Sequence, residues 1–266
     1  MYNGIFMSET VPVCERTITC AVVERGSRFL LELAGGDVIV VGAGPSGLVA
    51  GRYLAEKGLK TYILERRLSF GGGIGGGGML FPRIVVQEPA HEVLRGVGVS
   101  LEPYSQGVWV ADVAESIAKL AAGAVDSGAR ILLGVSVEDL IVKGSRVCGV
   151  VLQWSAVALS GLHVDPLAVE CRAVVDCTGH AAEVVSIAAK KNPELKVAVS
   201  GERSMDAITA ERRTVELTGE VVPGLWVAGM AAAAVGGGPR MGPIFGGMLL
   251  SGKKVAEAVA GSLDRG

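Results

Sequence analysis

The 266-residue sequence is poor in the residues that mark several classes of protein. Its five cysteines are scattered and include no CxxC pair, which argues against a disulfide framework and against a redox dithiol. Lys and Arg (25) balance Asp and Glu (27), so the formal net charge of −2 gives no basic surface for nucleic acid. The apolar runs are too short to cross a bilayer, and no secretory signal stands out. We therefore expect a cytoplasmic protein that binds neither nucleic acid nor membrane.

Glycine, by contrast, is abundant, with 39 residues that fall in clusters. Clustered glycine marks places where the backbone turns tightly or approaches a ligand closely. The run Gly71–Gly78 has almost no side chains and is predicted to be a mobile loop. Half of the residues are hydrophobic, which suffices for a large core, and the length fits one domain over residues 1–266 with a loose extension over residues 1–10.

The order of the apolar segments predicts an α/β fold. A strand over Asp37–Gly42, a helix over Ser46–Lys57 and a strand over Thr61–Glu65 form one strand–turn–helix–strand unit with parallel strands. A small antiparallel β insertion is predicted over residues 136–142 and 147–154. Further strands are predicted over residues 84–87, 129–133, 173–176 and 225–228, and helices over residues 14–34, 89–96, 112–127, 181–190 and 247–260. The polar stretch 191–221 is expected to be exposed or to face a partner.

The first strand runs into Gly42-Ala-Gly44-Pro-Ser-Gly47, which matches the GxGxxG fingerprint of dinucleotide-binding proteins. In this pattern Gly42 permits the tight turn, Gly44 lets a pyrophosphate approach the backbone, and Gly47 allows close packing of helix on sheet. The N-terminus of the following helix offers free N–H groups to the phosphates. Glu65, at the end of the next strand, is placed to bind ribose hydroxyls, and Arg66 is a candidate contact for phosphate or adenine.

A second segment narrows the fold class. Val222–Gly229 reads as a strand that enters a Gly-rich turn and then a helix, as in many flavoproteins. The frame therefore resembles a Rossmann-like dinucleotide-binding fold of the FAD/NAD-linked reductase type. However, the chain has no second GxGxxG in a strand–helix context and little room for a separate nicotinamide domain. An ordinary two-nucleotide reductase is therefore disfavoured.

A group of polar residues suggests the chemistry. Asp165 and His180 flank a predicted strand and could meet at the carboxyl end of the sheet, with His163 nearby. One carboxylate and one or two imidazoles suit iron or another first-row metal, although spacing alone leaves open that both histidines are ordinary hydrogen-bonded residues. Arg240 lies in a Gly-rich segment, where its guanidinium suits a carboxylate or a phosphate. The third histidine, His91, is expected at the surface of a helix start.

Together these motifs resemble those of the thiamine thiazole synthases, and in particular the archaeal type, over roughly residues 14–260. The resemblance implies an enzyme of thiamine biosynthesis that consumes NAD as a substrate. Such an enzyme would join the ADP-ribose part of NAD to glycine and sulfur, giving ADP-5-ethyl-4-methylthiazole-2-carboxylate. The matching motifs are Asp37–Gly47, Glu65-Arg66, Gly71–Gly78, Ile84–Gln87, Gly161–Pro166, Thr178-Gly-His180 and Gly236–Gly247.

The resemblance also implies roles for individual residues. Asp165 and His180 would bind Fe(II), and Arg240 would hold the carboxylate of glycine. His163 stands where the self-sacrificing branch of the family has a sulfur-donating Cys, so sulfide is the expected donor and the enzyme is expected to turn over many times. Family members are often octamers in which a loop bearing this site completes the pocket of a neighbour. The residues implied to line the dinucleotide are Ser46, Glu65, Arg66, Gly73, Val137, His163 and Met230.

Three other functions stay open at this point. The same frame fits an FAD-dependent oxidoreductase, and some archaeal relatives are described as isomerases of ribose 1,5-bisphosphate. A non-catalytic nucleotide-binding or sugar-phosphate protein is the third. One departure from the family pattern follows His180, where Ala181 replaces a frequent acidic residue.

Overall fold

The computed structural model describes residues 13–265. The predicted loose extension over residues 1–10 lies outside these residues. The chain divides into two compact units, one that ends at Ala34 and one that begins at Gly35. The described part of the first unit is helix α1 (Glu15–Leu33), which confirms the helix predicted there. A single domain over the whole chain stays a prediction.

A six-stranded sheet forms the centre of the second unit. Its neighbouring strands are parallel, except for one antiparallel pair at an edge. From that edge to the other, the strands are β11 (Gly219–Val222), β12 (Leu225–Val227), β10 (Ala173–Asp176), β1 (Val38–Val41), β2 (Thr61–Glu65) and β6 (Arg130–Leu133). This parallel sheet confirms the predicted α/β class.

The two central strands explain where a ligand can bind. All four residues of β1 and all four of β10 are buried, which is why both read as nearly continuous apolar runs. The two strands pair in register, with Val41 opposite Asp176 at their carboxyl ends. In open α/β sheets, ligands bind in the crevice beyond these ends.

Helices cover the sheet and complete the core. Helix α2 (Pro45–Glu56) packs against α4 (Val113–Asp126) and α9 (Gly246–Leu263). The other helices are α3 (His91–Arg95), α5 (Ser155–Ser160), α6 (Glu183–Lys191), α7 (Ala207–Glu216) and α8 (Met230–Val235), with short 3₁₀ turns at Gly72–Gly76 and Pro193–Leu195. Within residues 13–265, no helix has both the length and the apolar character needed to cross a membrane.

Two small antiparallel sheets are attached to this core. The predicted insertion is confirmed as β7 (Val135–Lys143) and β8 (Arg146–Trp154), and it gains a third strand, β9 (Leu167–Glu170). The other sheet has the order β3 (Arg83–Gln87), β5 (Val108–Asp112) and β4 (Leu101–Ser105). The hairpin of β4 and β5 was not predicted, because four of the five residues of β4 are exposed and give no alternating apolar pattern.

One expectation holds only in part, and another was wrong. The stretch 191–221 is not uniformly exposed, because it contains α7 and β11, and α7 packs on α9 with the polar Glu211 and Thr214 buried. A helix that turns polar side chains inward lacks the apolar stripe on which the prediction depended. His91 is also buried, with its ring stacked on Trp109 at a centroid distance of 5.2 Å.

Candidate active site

A cavity of about 820 Å³ lies beyond the carboxyl ends of β1, β2 and β10. Most of the predicted site residues line it, although they come from distant parts of the sequence. They are Gly42, Gly44, Ser46, Glu65, Arg66, Gly73, Val137, His180, Met230 and Arg240. We call the part at the turn Gly42–Gly47 and Glu65 the dinucleotide end. The part at His180 and Arg240, together with Glu202 that contacts His180 from outside the lining, is called the reacting end.

The three glycines of the fingerprint differ in their surroundings. Gly42 has a φ of +103°, and a Cβ there would lie 2.5 Å from the carbonyl oxygen of Cys177. A Cβ on Gly47 would collide with the carbonyl oxygen of Gly42, so this glycine permits helix α2 to pack against the turn. A Cβ on Gly44 would meet only open space, its nearest neighbour being the Cα of Gly72 at 4.0 Å. The backbone at Gly44 is thus accessible to a ligand in the cavity.

The buried carboxylate of Glu65 fixes the turn beside the fingerprint. One oxygen accepts a hydrogen bond from the backbone N–H of Ala43 at 2.9 Å, and the other accepts one from Arg67 at 3.0 Å. Each carboxylate oxygen has more than one lone pair, so both can still accept from a ribose hydroxyl. The guanidinium of the next residue, Arg66, pairs with Glu183 at 2.5 Å, and both residues line the cavity.

The turn that carries His180 is held by a buried acid, Asp176. This carboxylate accepts hydrogen bonds from the backbone N–H of Thr178 (2.9 Å), from the hydroxyl of Thr178 (2.7 Å) and from the N–H of Val185 (3.0 Å). The hydroxyl of Thr178 in turn accepts from the N–H of Glu183 at 2.7 Å. Burial raises the pKa of Asp176, and its three hydrogen bonds oppose that rise. The network fixes the path of the chain into α6.

At the reacting end, an imidazole, a carboxylate and a guanidinium lie together. His180 Nδ1 is 2.7 Å and 2.8 Å from the two carboxylate oxygens of Glu202. The Nε atom of Arg240 lies 4.0 Å from the same carboxylate. The side chains of His180 and Arg240 are more than half exposed, whereas that of Glu202 is only 13% exposed.

The remaining predicted site residues lie elsewhere. His163 and Asp165 are exposed in the segment between α5 and β9 and do not line the cavity, and Gly47 lies behind the turn. Within the part of the chain that the structure describes, no three His, Cys, Asp or Glu side chains form a metal-binding group. One copy of the chain therefore does not bring Asp165 and His180 together in its cavity.

Comparison with known proteins identifies the family. A profile of the Thi4 family matches residues 19–245. The chain is 62% identical to a thiamine thiazole synthase of Archaeoglobus fulgidus, over 94% of this chain and 96% of the relative. It is 55% identical to one of Pyrobaculum arsenaticum, over the same shares. The crystal structure of Thermovibrio ammonificans THI4 superposes with a TM-score of 0.93 and 45% identity, covering 96% of this chain and 100% of that one.

The chain belongs to the Thi4 family.

In this Thi4 chain, three acidic residues that line or support the site were not predicted from the sequence. Asp176 ends an apolar strand, and this position could have indicated its role. A single acidic residue in a buried strand needs hydrogen-bond partners. Glu183 lies three residues after His180 and was counted only as part of a helix. Glu202 lies in the stretch of polar residues expected to be exposed, so nothing local distinguished it from a solvated side chain.

Proposed function

We propose that the chain is a thiamine thiazole synthase that makes ADP-5-ethyl-4-methylthiazole-2-carboxylate from NAD, glycine and sulfide. The observation that carries this proposal is that a dinucleotide fingerprint and the pair His180 and Arg240 face one and the same cavity. The close similarity to proteins named thiamine thiazole synthase supports it. NAD is then a reactant, whose ADP-ribose part is kept while nicotinamide leaves.

The dinucleotide end supports binding of NAD in one orientation. The accessible backbone at Gly44 and the N-terminus of α2 suit the pyrophosphate, and Glu65 suits the hydroxyls of the adenosine ribose. Arg66 is placed beside that ribose, while Val137 and Met230 supply apolar lining. The nicotinamide end of NAD then points toward His180 and Arg240. Ser46 and Gly73 complete the same lining.

The donor set fits Fe(II), with His180 and Asp165 as the ligands. Glu202 occupies Nδ1 of His180, and no group within residues 13–265 hydrogen bonds to Nε2, which leaves that nitrogen for a metal. A carboxylate and an imidazole are ligands that iron accepts, with positions left for substrates. When bound, the ion would supply a template for the substrates and polarise them.

The proposal places the second ligand on another copy of the chain. Asp165 and His163 lie on an exposed segment outside the cavity, and the apolar side chains of this segment are exposed too. Exposed apolar residues close together mark a surface that another protein covers. These residues are Leu159, Leu162, Val164 and Leu167. In the proposed homo-octamer, the segment of one copy reaches the cavity of its neighbour. This arrangement supplies Asp165 to the metal site and covers the exposed apolar side chains.

The cavity also bears on the source of sulfur. Cys177 is the one cysteine among residues 13–265 that lines it, and its thiol is buried. Burial raises the pKa of this thiol well above its usual range, so little thiolate forms. His163 has no sulfur to give. Sulfide from outside the protein is therefore the proposed donor, and the enzyme is regenerated after each turnover.

Arg240 is the proposed binding group for glycine. Its side chain is more than half exposed to the cavity, and its planar guanidinium can hold a carboxylate by two parallel hydrogen bonds. Glycine held there lies next to His180, where its amino group can meet the carbonyl form of the ribose. In this arrangement Arg240 and His180 position glycine, and the dinucleotide end positions the ADP-ribose part of NAD.

The test is a reaction without oxygen that contains the protein, NAD, glycine, sulfide and Fe(II). We expect an adenylated thiazole by mass spectrometry, in many equivalents per chain, and no product when sulfide is omitted. His180→Ala is expected to lose the product by more than about a hundredfold while still binding NAD. At most one equivalent of product per chain would contradict repeated turnover. A bound flavin would favour an oxidoreductase. Conversion of ribose 1,5-bisphosphate with no thiazole would favour the isomerase.

A further inference from the structure

The contact between His180 and Glu202 determines which ring nitrogen carries the proton. Both carboxylate oxygens of Glu202 lie within 2.8 Å of Nδ1. A carboxylate only accepts hydrogen bonds, so Nδ1 must donate and carries the hydrogen. In the neutral imidazole the lone pair is then on Nε2, the nitrogen that has no partner in residues 13–265.

The backbone holds Glu202 firmly in this position. The residues on either side of it are hydrogen bonded to the segment that leads into Arg240. Three backbone bonds join the two segments, from Gly201 N–H to Ala234 (2.9 Å), from Arg203 N–H to Gly238 (2.9 Å) and from Arg240 N–H to Arg203 (3.2 Å). Glu202 is therefore oriented by its own segment before any ligand arrives.

Glu202 also lies beside Arg240. Its carboxylate is 4.0 Å from Nε of that guanidinium, which is too long for a hydrogen bond but close enough to balance its charge. The N–H groups of Arg240 thus stay available for a substrate carboxylate. One acidic residue therefore contacts the proposed metal ligand and faces the proposed glycine-binding residue.

We infer that Glu202 is a positioning residue, which fixes the tautomer and orientation of His180 so that Nε2 faces the metal, and which sets the separation of His180 from Arg240. This rests on the proposed function, because it assumes that His180 binds the ion. Carboxylates that accept from the second nitrogen of a metal-bound histidine orient the ring and increase its basicity.

The other acid near His180 does not fit this role. Glu183 lies three residues away in sequence, but its carboxylate pairs with Arg66 at 2.5 Å. Its backbone N–H donates to Thr178, at the start of α6. Glu183 thus belongs to the dinucleotide end, and Glu202 alone among the described acidic residues contacts His180.

The experiment measures metal binding directly, without turnover. Metal-free protein, kept as its native oligomer, is titrated with Co(II), whose visible absorption reports the ligands. We expect Glu202→Ala to bind Co(II) roughly 10- to 100-fold more weakly than the wild type. Glu202→Gln keeps an accepting oxygen, so its Co(II) affinity should lie between those of the wild type and Glu202→Ala. NAD affinity, measured by calorimetry on the same samples, is expected to stay unchanged.

The control is Glu220→Gln. Glu220 is an exposed acid that accepts from the backbone N–H of Gly224 at 2.8 Å and does not line the cavity. The Glu220→Gln variant should bind Co(II) with the affinity of the wild type. Unchanged Co(II) affinity in Glu202→Ala would overturn the inference, and so would a parallel loss of Co(II) binding, NAD binding and thermal stability, because that would indicate a structural role.

A further variant, His180→Gln, separates this inference from the proposed function. If His180→Gln loses Co(II) while Glu202→Ala keeps it, only the role of Glu202 is wrong. If the wild type binds Co(II) no better than His180→Gln, the proposed metal site is wrong and the inference falls with it. Loss in both variants, with NAD binding retained, supports both.

Discussion

At the dinucleotide end of the cavity, one copy of the chain provides nearly all of the residues proposed to bind NAD. The backbone N–H of Ala43, within the turn Gly42–Gly47, donates a hydrogen bond to the carboxylate of Glu65, and the turn leaves open space beside Gly44. At the reacting end, the same copy provides His180, Glu202 and Arg240, while His163 and Asp165 are exposed outside the cavity. The difference teaches that one folded chain assembles most of the proposed nucleotide site, whereas two of the residues proposed for the chemistry lie outside its cavity.

The largest expected effect tests whether the reacting end is shared between copies. Asp165→Ala and His180→Ala should each lose thiazole formation by more than about a hundredfold. When the two variants are expressed together and form mixed oligomers, random pairing restores intact sites, and roughly a quarter of the wild-type activity should return. Two differently tagged chains purified in sequence give the mixed species. If both ligands came from the same copy, mixing would restore nothing.

The next largest effect concerns glycine. Arg240→Lys loses the planar fork and one of two parallel hydrogen bonds, so KM for glycine should rise roughly tenfold to a hundredfold. KM for NAD should stay the same, because Arg240 belongs to the reacting end. The matched control is Arg212→Lys, an exposed residue of α7 that pairs with Glu216 at 3.0 Å. Equal changes in both KM values would mean that Arg240 acts on the dinucleotide.

A pair of glycine substitutions tests the dinucleotide end. Gly44→Ala adds a methyl group in open space, so stability should stay within about 0.5 kcal/mol, whereas the affinity for NAD should fall roughly tenfold. Gly47→Ala forces a methyl group against Gly42 and should cost about 1–3 kcal/mol of stability. Urea unfolding and calorimetry with NAD separate the two results. An NAD affinity unchanged by Gly44→Ala would remove the pyrophosphate from this turn.

The smallest effect concerns the packing of α7 on α9. Glu211 is buried, accepts from the N–H of Gly247 at 2.8 Å at the start of α9, and leaves its other oxygen without a partner among the described residues. Burial raises the pKa of this carboxyl, so its ionised form is disfavoured in the folded state. As the pH rises past the ordinary value of 4.5, the wild type should therefore lose stability relative to Glu211→Gln.

Urea unfolding between about pH 3 and pH 8 measures this difference and covers the pH range of the control as well. The control, Glu216→Gln on the same helix, should give the opposite sign. Arg213 and Arg212 lower the pKa of Glu216, so the stability it contributes is present at neutral pH and is lost as the pH falls. Parallel curves for the wild type and Glu211→Gln would mean that Glu211 is not disfavoured by burial.

Much of the fold could be predicted because its signals are local. The unit from β1 to β2 is specified by a short apolar run, a Gly-rich turn and an amphipathic helix, which together cover fewer than thirty residues by position. The elements that were missed have no such signal. Strand β4 is mostly exposed, and α7 turns Glu211 and Thr214 inward, so their positions depend on neighbours far away in the sequence.

The same difference applies to the site. Gly42 and Gly47 have the tight surroundings that their predicted roles require, because a Cβ at either position would collide with backbone. Gly44 has open space beside it, and its contact with a pyrophosphate stays a prediction. Glu202 could not be predicted, because a glutamate in a polar segment has the same appearance whether it is solvated or hydrogen bonded to a distant histidine. Asp165 and His180 as a metal pair stay a prediction, since one copy of the chain does not join them.

The sequence by itself determined the family, the parallel α/β sheet and the position of the dinucleotide turn, because each depends on residues that are adjacent or regularly spaced. Only the tertiary structure decided which polar groups meet at the reacting end. It brought His180, Glu202 and Arg240 together from separate segments, and it left His163 and Asp165 outside the cavity. The physical reason is that hydrogen bonds and ion pairs act over a few ångströms, and folding alone sets which side chains come within that distance.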